Sequence, residues 1–188
     1  VIDYYEPHII HFCESLVSHN GETASLSDAS KLQNHVKKRF PHIEIMRSIP
    51  IPPLGNGQIA TLEIAKALEE NCNYFLTDTW LGKEPVDGFI GITGKICNWK
   101  TAELLVKSSS IPVVLAGGMS PENVYNGIMM VRPYGVDSCT QTNRIDENNN
   151  PIRFDKDYDR VRRFVLEAHR AQQDLMEEYM STQERISP

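Results

Sequence analysis

The chain has 188 residues, with 25 acidic against 19 basic side chains and a pI near 5.5. That length holds one domain with a sizeable core, so residues 1–188 are read as a single domain without an internal boundary. The acidic excess is spread along the chain and gives no nucleic-acid footprint, and no apolar run reaches the roughly 18 residues of a membrane span.

Strand-like and helix-like segments alternate from end to end. His8 to Cys13 is a short apolar strand, followed by a helix capped by Ser25 or Ser27, with Leu32, Val36 and Phe40 repeating every fourth position. Ile43 to Ile51 reads as a second strand, stopped by Pro50, Pro52 and Pro53 and by a Gly55-Asn56-Gly57 turn. Ile59 to Leu68 is an amphipathic helix with Ile59, Leu62, Ala65 and Leu68 on one side. Asn73 to Thr79 is a third strand with Asp78 at its end. A long loop carrying Gly82, Gly88, Gly91 and Gly94 then leads to a helix from Trp99 to about Ser108, capped by Asn98.

The run from Ile111 to Asn123 is the most informative. Val113, Val114 and Leu115 are consecutive apolar residues, as in a parallel strand covered on both faces. Gly117 and Gly118 permit a close approach to the backbone, and Ser120, Pro121 and Glu122 suit a cap, a first helical position and the positive end of the helix dipole. Together these features make a corner where an anion can sit on backbone N–H groups. Gly135 to Thr140 follows as a fifth strand, Asn143 to Pro151 as a polar loop, and Asp157 to Met180 as a final helix carrying Val161, Phe164, Val165, Ala168, Leu175 and Met176. Five βα units with such connections imply a parallel sheet under helices, either a closed barrel or an open doubly wound sheet.

Cys13, Cys72, Cys97 and Cys139 lie far apart without a C-x-x-C pair, which is neither a zinc pattern nor a disulfide framework. A reducing, cytoplasmic setting is therefore expected. The six histidines form no ligand grouping, so no metal site is expected. In a parallel α/β fold ligands bind at the C-terminal ends of the strands. That rule selects Asp78, the Gly91-Ile92-Thr93-Gly94-Lys95 loop, Gly117-Gly118, and Asp137-Ser138-Cys139-Thr140. A carboxylate beside a buried core has a raised pKa and suits a general acid, whereas glycines with Thr and Lys suit phosphate.

Thr93-Gly94-Lys95, Asn98-Trp99, Leu115-Ala116-Gly117-Gly118 with Pro121-Glu122-Asn123-Val124, and Arg132-Pro133-Tyr134-Gly135-Val136-Asp137 resemble phosphoribosylanthranilate isomerase. The resemblance implies a (β/α)8 TIM barrel, of which this chain supplies about five βα units matching strands four to eight. It implies an Amadori rearrangement of a phosphorylated aminoaldose to an aminoketose, without a cofactor. It places Asp78 as the general acid, Asp137 as the acidic residue of the eighth strand, and Gly91, Thr93, Gly94, Gly117, Gly118, Cys139 and Thr140 in the phosphate loops.

The chain also departs from the family pattern. The family's base, a Cys on its first strand, and an Arg that holds the anthranilate carboxylate have no counterpart in the chain, so the base is expected from a segment before Val1. The usual Gly-Gly-x-Gly reads Gly91-Ile92-Thr93-Gly94, Ser-Ser-Gly reads Cys139-Thr140-Gln141, and Gln-x-His-Gly reads His11-Phe12-Cys13-Glu14. These changes favour an alternative: a divergent barrel that binds a phosphorylated ligand or a protein partner without turnover. Five strands of eight leave two edges, so earlier residues, a second copy or another chain are expected to cover them.

Overall fold

The computed structural model describes residues 2–55 and 59–186, with the side chains of 184–186 left aside. The Gly55-Asn56-Gly57 turn therefore lies partly outside the described residues. Five parallel strands, β1 (Ile9–Phe12), β2 (Glu44–Ile51), β3 (Tyr74–Thr79), β4 (Val113–Leu115) and β5 (Gly135–Val136), pair in the order β1-β2-β3-β4-β5. Every crossover lands on the adjacent position in one direction. A doubly wound sheet reverses direction part-way, so the sheet is wound as a segment of a TIM barrel.

Side chains alternate across each strand, and the pairing register extends that alternation across the sheet. Ile45, Ile49 and Ile51, Phe75, Val113 and Leu115 share the outer face and are buried under helices. Arg47 lies in the same row with no exposed surface, its Nε donating to Gln33 Oε1 at 2.8 Å and its Nη1 ion-paired with Glu14. The opposite, inner face is less covered: Ile9 is 42% exposed, and Met46, Tyr74 and Val114 are half-buried. β1 and β5 each have one neighbour among the described residues.

The helices sit on the outer face, several of them shifted from the sequence reading. α1 is a single turn, Ile2–Tyr5. Ser25 caps α2 (Leu26–Arg39), whose buried residues are Ala29 and Gln33; Leu32 is 46% exposed. Of the expected stripe, Val36 packs half-buried against the core while Leu32 faces out, its place taken by the polar Gln33, which is drawn inward by Arg47 and by Leu68 O, to which its Nε2 donates. α3 (Thr61–Leu68) buries Ala65 and Leu68 of the expected row together with Thr61 and Ile64, while Ile59 and Leu62 pack half-buried against the core; Thr61 Oγ1 donates to Pro50 O at 2.8 Å. Pro50 lies within β2 instead of stopping it. The β1 ladder ends at Arg47, so Pro50 has a partner strand on one side only.

α4 (Trp99–Ser108) matches its expected bounds, with the Asn98 side chain accepting from Lys100 N. α5 begins at Val124 rather than beside Ser120, and runs to Val131. The fifth strand ends at Val136, short of the expected Thr140. Residues 143–151, read as a loop, belong to an antiparallel hairpin, β6 (Asn143–Ile145) with β7 (Pro151–Lys156). Asp146 closes its turn by accepting from Asn148 N and Asn150 N at 2.9 and 2.8 Å. α6 runs from Tyr158 to Ile186 and buries Phe164 and Ala171, while Met176 faces out. No helix of the described residues is long and apolar enough to cross a membrane.

The outer-face core predicts a clear cost. Phe75→Ala leaves a void under α3 and α4 and lowers unfolding free energy by about 3–5 kcal/mol, read from the urea midpoint. A loss below about 1 kcal/mol contradicts a packed outer face.

Candidate active site

Asp78 ends the inner row of β3, one inward position above Leu76. The loop after β3 folds back to β1: Ser15 N donates to Gly88 O and Ile90 N to Cys13 O, at 2.8 and 2.9 Å. This return lays Gly91 over the Asp78 carboxylate. A methyl group on Gly91 would sit 2.6 Å from Asp78 Oδ1, so only glycine, at φ +98°, fits there. The loop is then held by Thr79 Oγ1 donating to Lys95 O at 2.6 Å and by Asn98 N donating to Pro52 O.

Burial pushes the Asp78 carboxyl up to about 7, with Asp137 and Glu84 adding to the rise and a hydrogen bond from Ser48 Oγ opposing it at 2.9 Å. Asp137 stands just beyond β5, its N–H bonded to Leu115 O at 2.9 Å. Burial raises its carboxyl as well, against the pull of His11 and Lys156. His11, on β1, reaches the same place: its Nε2 is 2.8 Å from Ser48 Oγ. Burial lowers the His11 ring, Asp137 and Glu14 act the other way, and Arg47 lowers it further.

The glycine corner is fastened by Asn123, whose Oδ1 accepts from Ser120 N at 2.8 Å and whose Nδ2 donates to Gly118 O at 3.0 Å. Ser120 Oγ caps the short turn that leads into α5, accepting from Glu122 N. Gly117 and Gly118 hold φ of +86° and +68°; side chains there would strike Thr79 Oγ1 and the Lys95–Ile96 backbone. Gly94 has φ +64°. Ile92, where the family pattern has glycine, keeps the left-handed conformation at φ +59°, a geometry that costs a β-branched residue about 1–3 kcal/mol.

These loops enclose a recess lined by Asp78, Thr93, Gly94, Gly117, Gly118 and Asp137, with Cys139 and Thr140 completing the wall. Gly91 borders it through the Asp78 carboxylate. Lys95 contributes its backbone to the loop, and its ammonium is not among the lining groups. Gln141, on the same wall, donates from Nε2 to Gly94 O at 2.8 Å and ties the two loops across the recess. The remaining volume is about 30 Å³, the room of one water. A larger hollow of about 770 Å³ between Ser15, His19, Trp80 and Lys83 contains neither Asp78 nor the glycine corner. Among the described residues no group of three His, Cys, Asp or Glu is placed to hold a metal ion.

The sequence does not single out Ser48 or Lys156, and marks His11 and Gln141 only as changes of residue. Lys156 arrives through the hairpin, its Nζ donating to Thr142 Oγ1 at 2.9 Å and to Cys139 O. The signal for Ser48 and His11 is parity: both occupy the inner row of their strands, as Asp78 does.

No protein-family model matches the chain. It is 33% identical over 139 residues to N-(5'-phosphoribosyl)anthranilate isomerase 2 of Methanosarcina mazei, covering 70% of this chain and 58% of that protein. It is 36% identical over 155 residues to N-(5'-phosphoribosyl)anthranilate isomerase of Haloferax volcanii, covering 82% and 65%. The chain thus spans about half to two thirds of the curated relatives it matches. Among solved structures, phosphoribosyl anthranilate isomerase of Thermotoga maritima superposes with TM-score 0.58 and 22% identity over 89% of this chain and 64% of that one. A phosphoribosyl anthranilate isomerase in complex with reduced 1-(o-carboxyphenylamino)-1-deoxyribulose 5-phosphate gives TM-score 0.56 and 19% identity, over 89% and 62%.

The raised Asp78 carboxyl makes a stability prediction. Its folded pKa, about 7, lies above the unfolded carboxylate value, so folding takes up a proton between about pH 4 and pH 7. Stability falls as pH rises through that window. Asp78→Asn is therefore more stable than the native protein at pH 8 by roughly 2–4 kcal/mol, and the difference closes towards pH 4. Equal urea midpoints at pH 8 would contradict the desolvation of Asp78.

Proposed function

We propose that this chain, which belongs to the phosphoribosylanthranilate isomerase family, carries the general acid and the phosphate-binding side of an Amadori isomerase site. In this reading residues 1–188 form one partial TIM-barrel domain, and its five βα units correspond to strands four to eight. The observation that supports the reading best is Asp78: a buried carboxylate whose pKa lies near 7, at the strand end that faces the glycine recess. An acid of that pKa keeps a proton at neutral pH and yields it readily.

The chemistry follows from that placement. Asp78 protonates the ribose ring oxygen as the bond from that oxygen to the anomeric carbon breaks, and the lone pair of the amine nitrogen forms the C=N bond of an iminium. A base then removes the proton from the adjacent carbon, and the resulting enolamine becomes the aminoketose. The base comes from the part of the relatives' length that this chain does not cover. Asp137 faces the same reacting end, and Gly91, Thr93, Gly94, Gly117, Gly118, Cys139 and Thr140 receive the phosphate on backbone and hydroxyl donors. The half-buried inner face is covered by further strands of the barrel, by a second copy or by another chain. The ligand of the solved relative, a phosphorylated ribulose bearing a carboxyphenylamino group, has the chemistry of such a product.

A second reading, phosphate binding without turnover, draws on the narrowed recess, where Ile92 and the Gln141–Gly94 tie stand in the way of the anion. The two readings part in a single assay. The full-length protein is expected to rearrange phosphoribosylanthranilate, followed by loss of anthranilate fluorescence, and Asp78→Asn lowers kcat by about 10²- to 10⁴-fold. An unchanged kcat in Asp78→Asn removes that residue from the chemistry. Ile92→Gly relieves the left-handed strain and lowers KM. Phosphate binding seen by calorimetry with no rearrangement by the native protein favours the second reading.

A further inference from the structure

We propose that His11 and Ser48 are positioning residues for Asp78, holding its carboxyl by one oxygen and returning its proton from solvent along a hydrogen-bonded chain across three adjacent strands. The inference rests on Asp78 being the acid of the proposed reaction. His11 Nε2 lies 2.8 Å from Ser48 Oγ, and Ser48 Oγ lies 2.9 Å from Asp78 Oδ2. The register builds this chain. His11 is level with Met46, Ser48 is the next inward residue of β2 and is level with Leu76, and Asp78 is the next inward residue of β3. Ser48 is fully buried, whereas His11, on the edge strand β1, keeps exposed surface among the described residues and forms the outer end of the chain.

A hydroxyl is suited to the middle position because it donates and accepts at once. When Asp78 is ionised, Oδ2 accepts from Ser48, so Ser48 accepts from His11 and the ring proton is on Nε2. When Asp78 is protonated the hydroxyl turns: Asp78 donates to Ser48, Ser48 donates to Nε2, and the ring proton is on Nδ1. Reloading uses the same atoms. After Asp78 gives its proton to the substrate, the Ser48 hydroxyl turns to Oδ2 and the ring exchanges its Nδ1 proton with solvent for one on Nε2; the carboxylate then takes the Ser48 proton, Ser48 takes the Nε2 proton, and Nδ1 takes one from a solvent acid. One solvent proton reaches Asp78, and His11 ends neutral.

The surrounding charges keep the two ends matched. Asp137, Glu14 and Arg47 face His11, and Asp137 and Glu84 face Asp78. Burial lowers the ring and raises the carboxyl, so between them lies a window in which Asp78 is protonated and His11 is neutral.

The direct test is ¹⁵N NMR of His11 across neutral pH in the full-length protein. The neutral ring is expected to change from the Nδ1–H to the Nε2–H tautomer as Asp78 ionises, and Asp78→Asn or Ser48→Ala abolishes the change. In the isomerase assay His11→Gln keeps a donor to Ser48 yet cannot relay, so kcat falls about tenfold with KM unchanged. Ser48→Thr retains most of the activity that Ser48→Ala loses. A tautomer that does not change with pH, or wild-type kcat in His11→Gln, overturns the proposal. If the native protein rearranges no phosphoribosylanthranilate, the isomerase reading falls, and the tautomer measurement alone then upholds or overturns the chain.

Discussion

A carboxyl group taken out of water needs a counter-charge or a proton, and at Asp78 the structure supplies the proton. The charged groups that act on it, Asp137 and Glu84, are both acidic, and its one opposing partner is the neutral hydroxyl of Ser48. Much of the surrounding architecture serves this burial. Gly91 must lack a side chain for the loop to close on the carboxylate, and the loop must return to Cys13 and Ser15 to bring Gly91 there. The loop after β3 is thus both the cover of the acid and the near wall of the recess.

The parity of a parallel sheet divides the rest of the work. Outward residues of β2, β3 and β4 are apolar or internally bonded and carry the packing, whereas inward residues carry Ser48, Asp78 and the approach to Asp137. Asp78 was legible in sequence because a strand so apolar ends in a carboxylate, and α4 because Asn98 is a strong cap directly before a helical run. The face of α2 was not legible. Gln33 counts as polar in any periodicity, and partners distant in sequence, the buried Arg47 of β2 and Leu68 O, explain why it turns inward. The hairpin was hidden by the run Asn148-Asn149-Asn150, read as loop, although Ile152 and Phe154 alternate beside it. For Ser48 and His11 strand parity gives the facing alone; that they meet depends on the pairing register, a long-range property.

The glycine corner and its neighbour on the β3 loop have fared differently. At the corner, Asn123 fastens Gly118 from within its own turn, and both glycines are required by what lies against them. On the β3 loop, Ile92 holds a left-handed backbone shape that glycine adopts more readily, so the loop geometry is imposed by its anchors rather than by residue preference. Gln141 then spans from the β5 side to Gly94. That hydrogen bond closes the recess between the two loops, and opening it has a modest cost of about 0.5–1.5 kcal/mol.

The account stands on the protonation state of one residue, and that state is directly measurable. Carboxyl ¹³C NMR of Asp78 in the folded protein is expected to titrate with a midpoint near pH 7. A midpoint near the ordinary carboxylate value of about 4 would show that Asp78 is solvated and ionised, and would contradict its assignment as the acid.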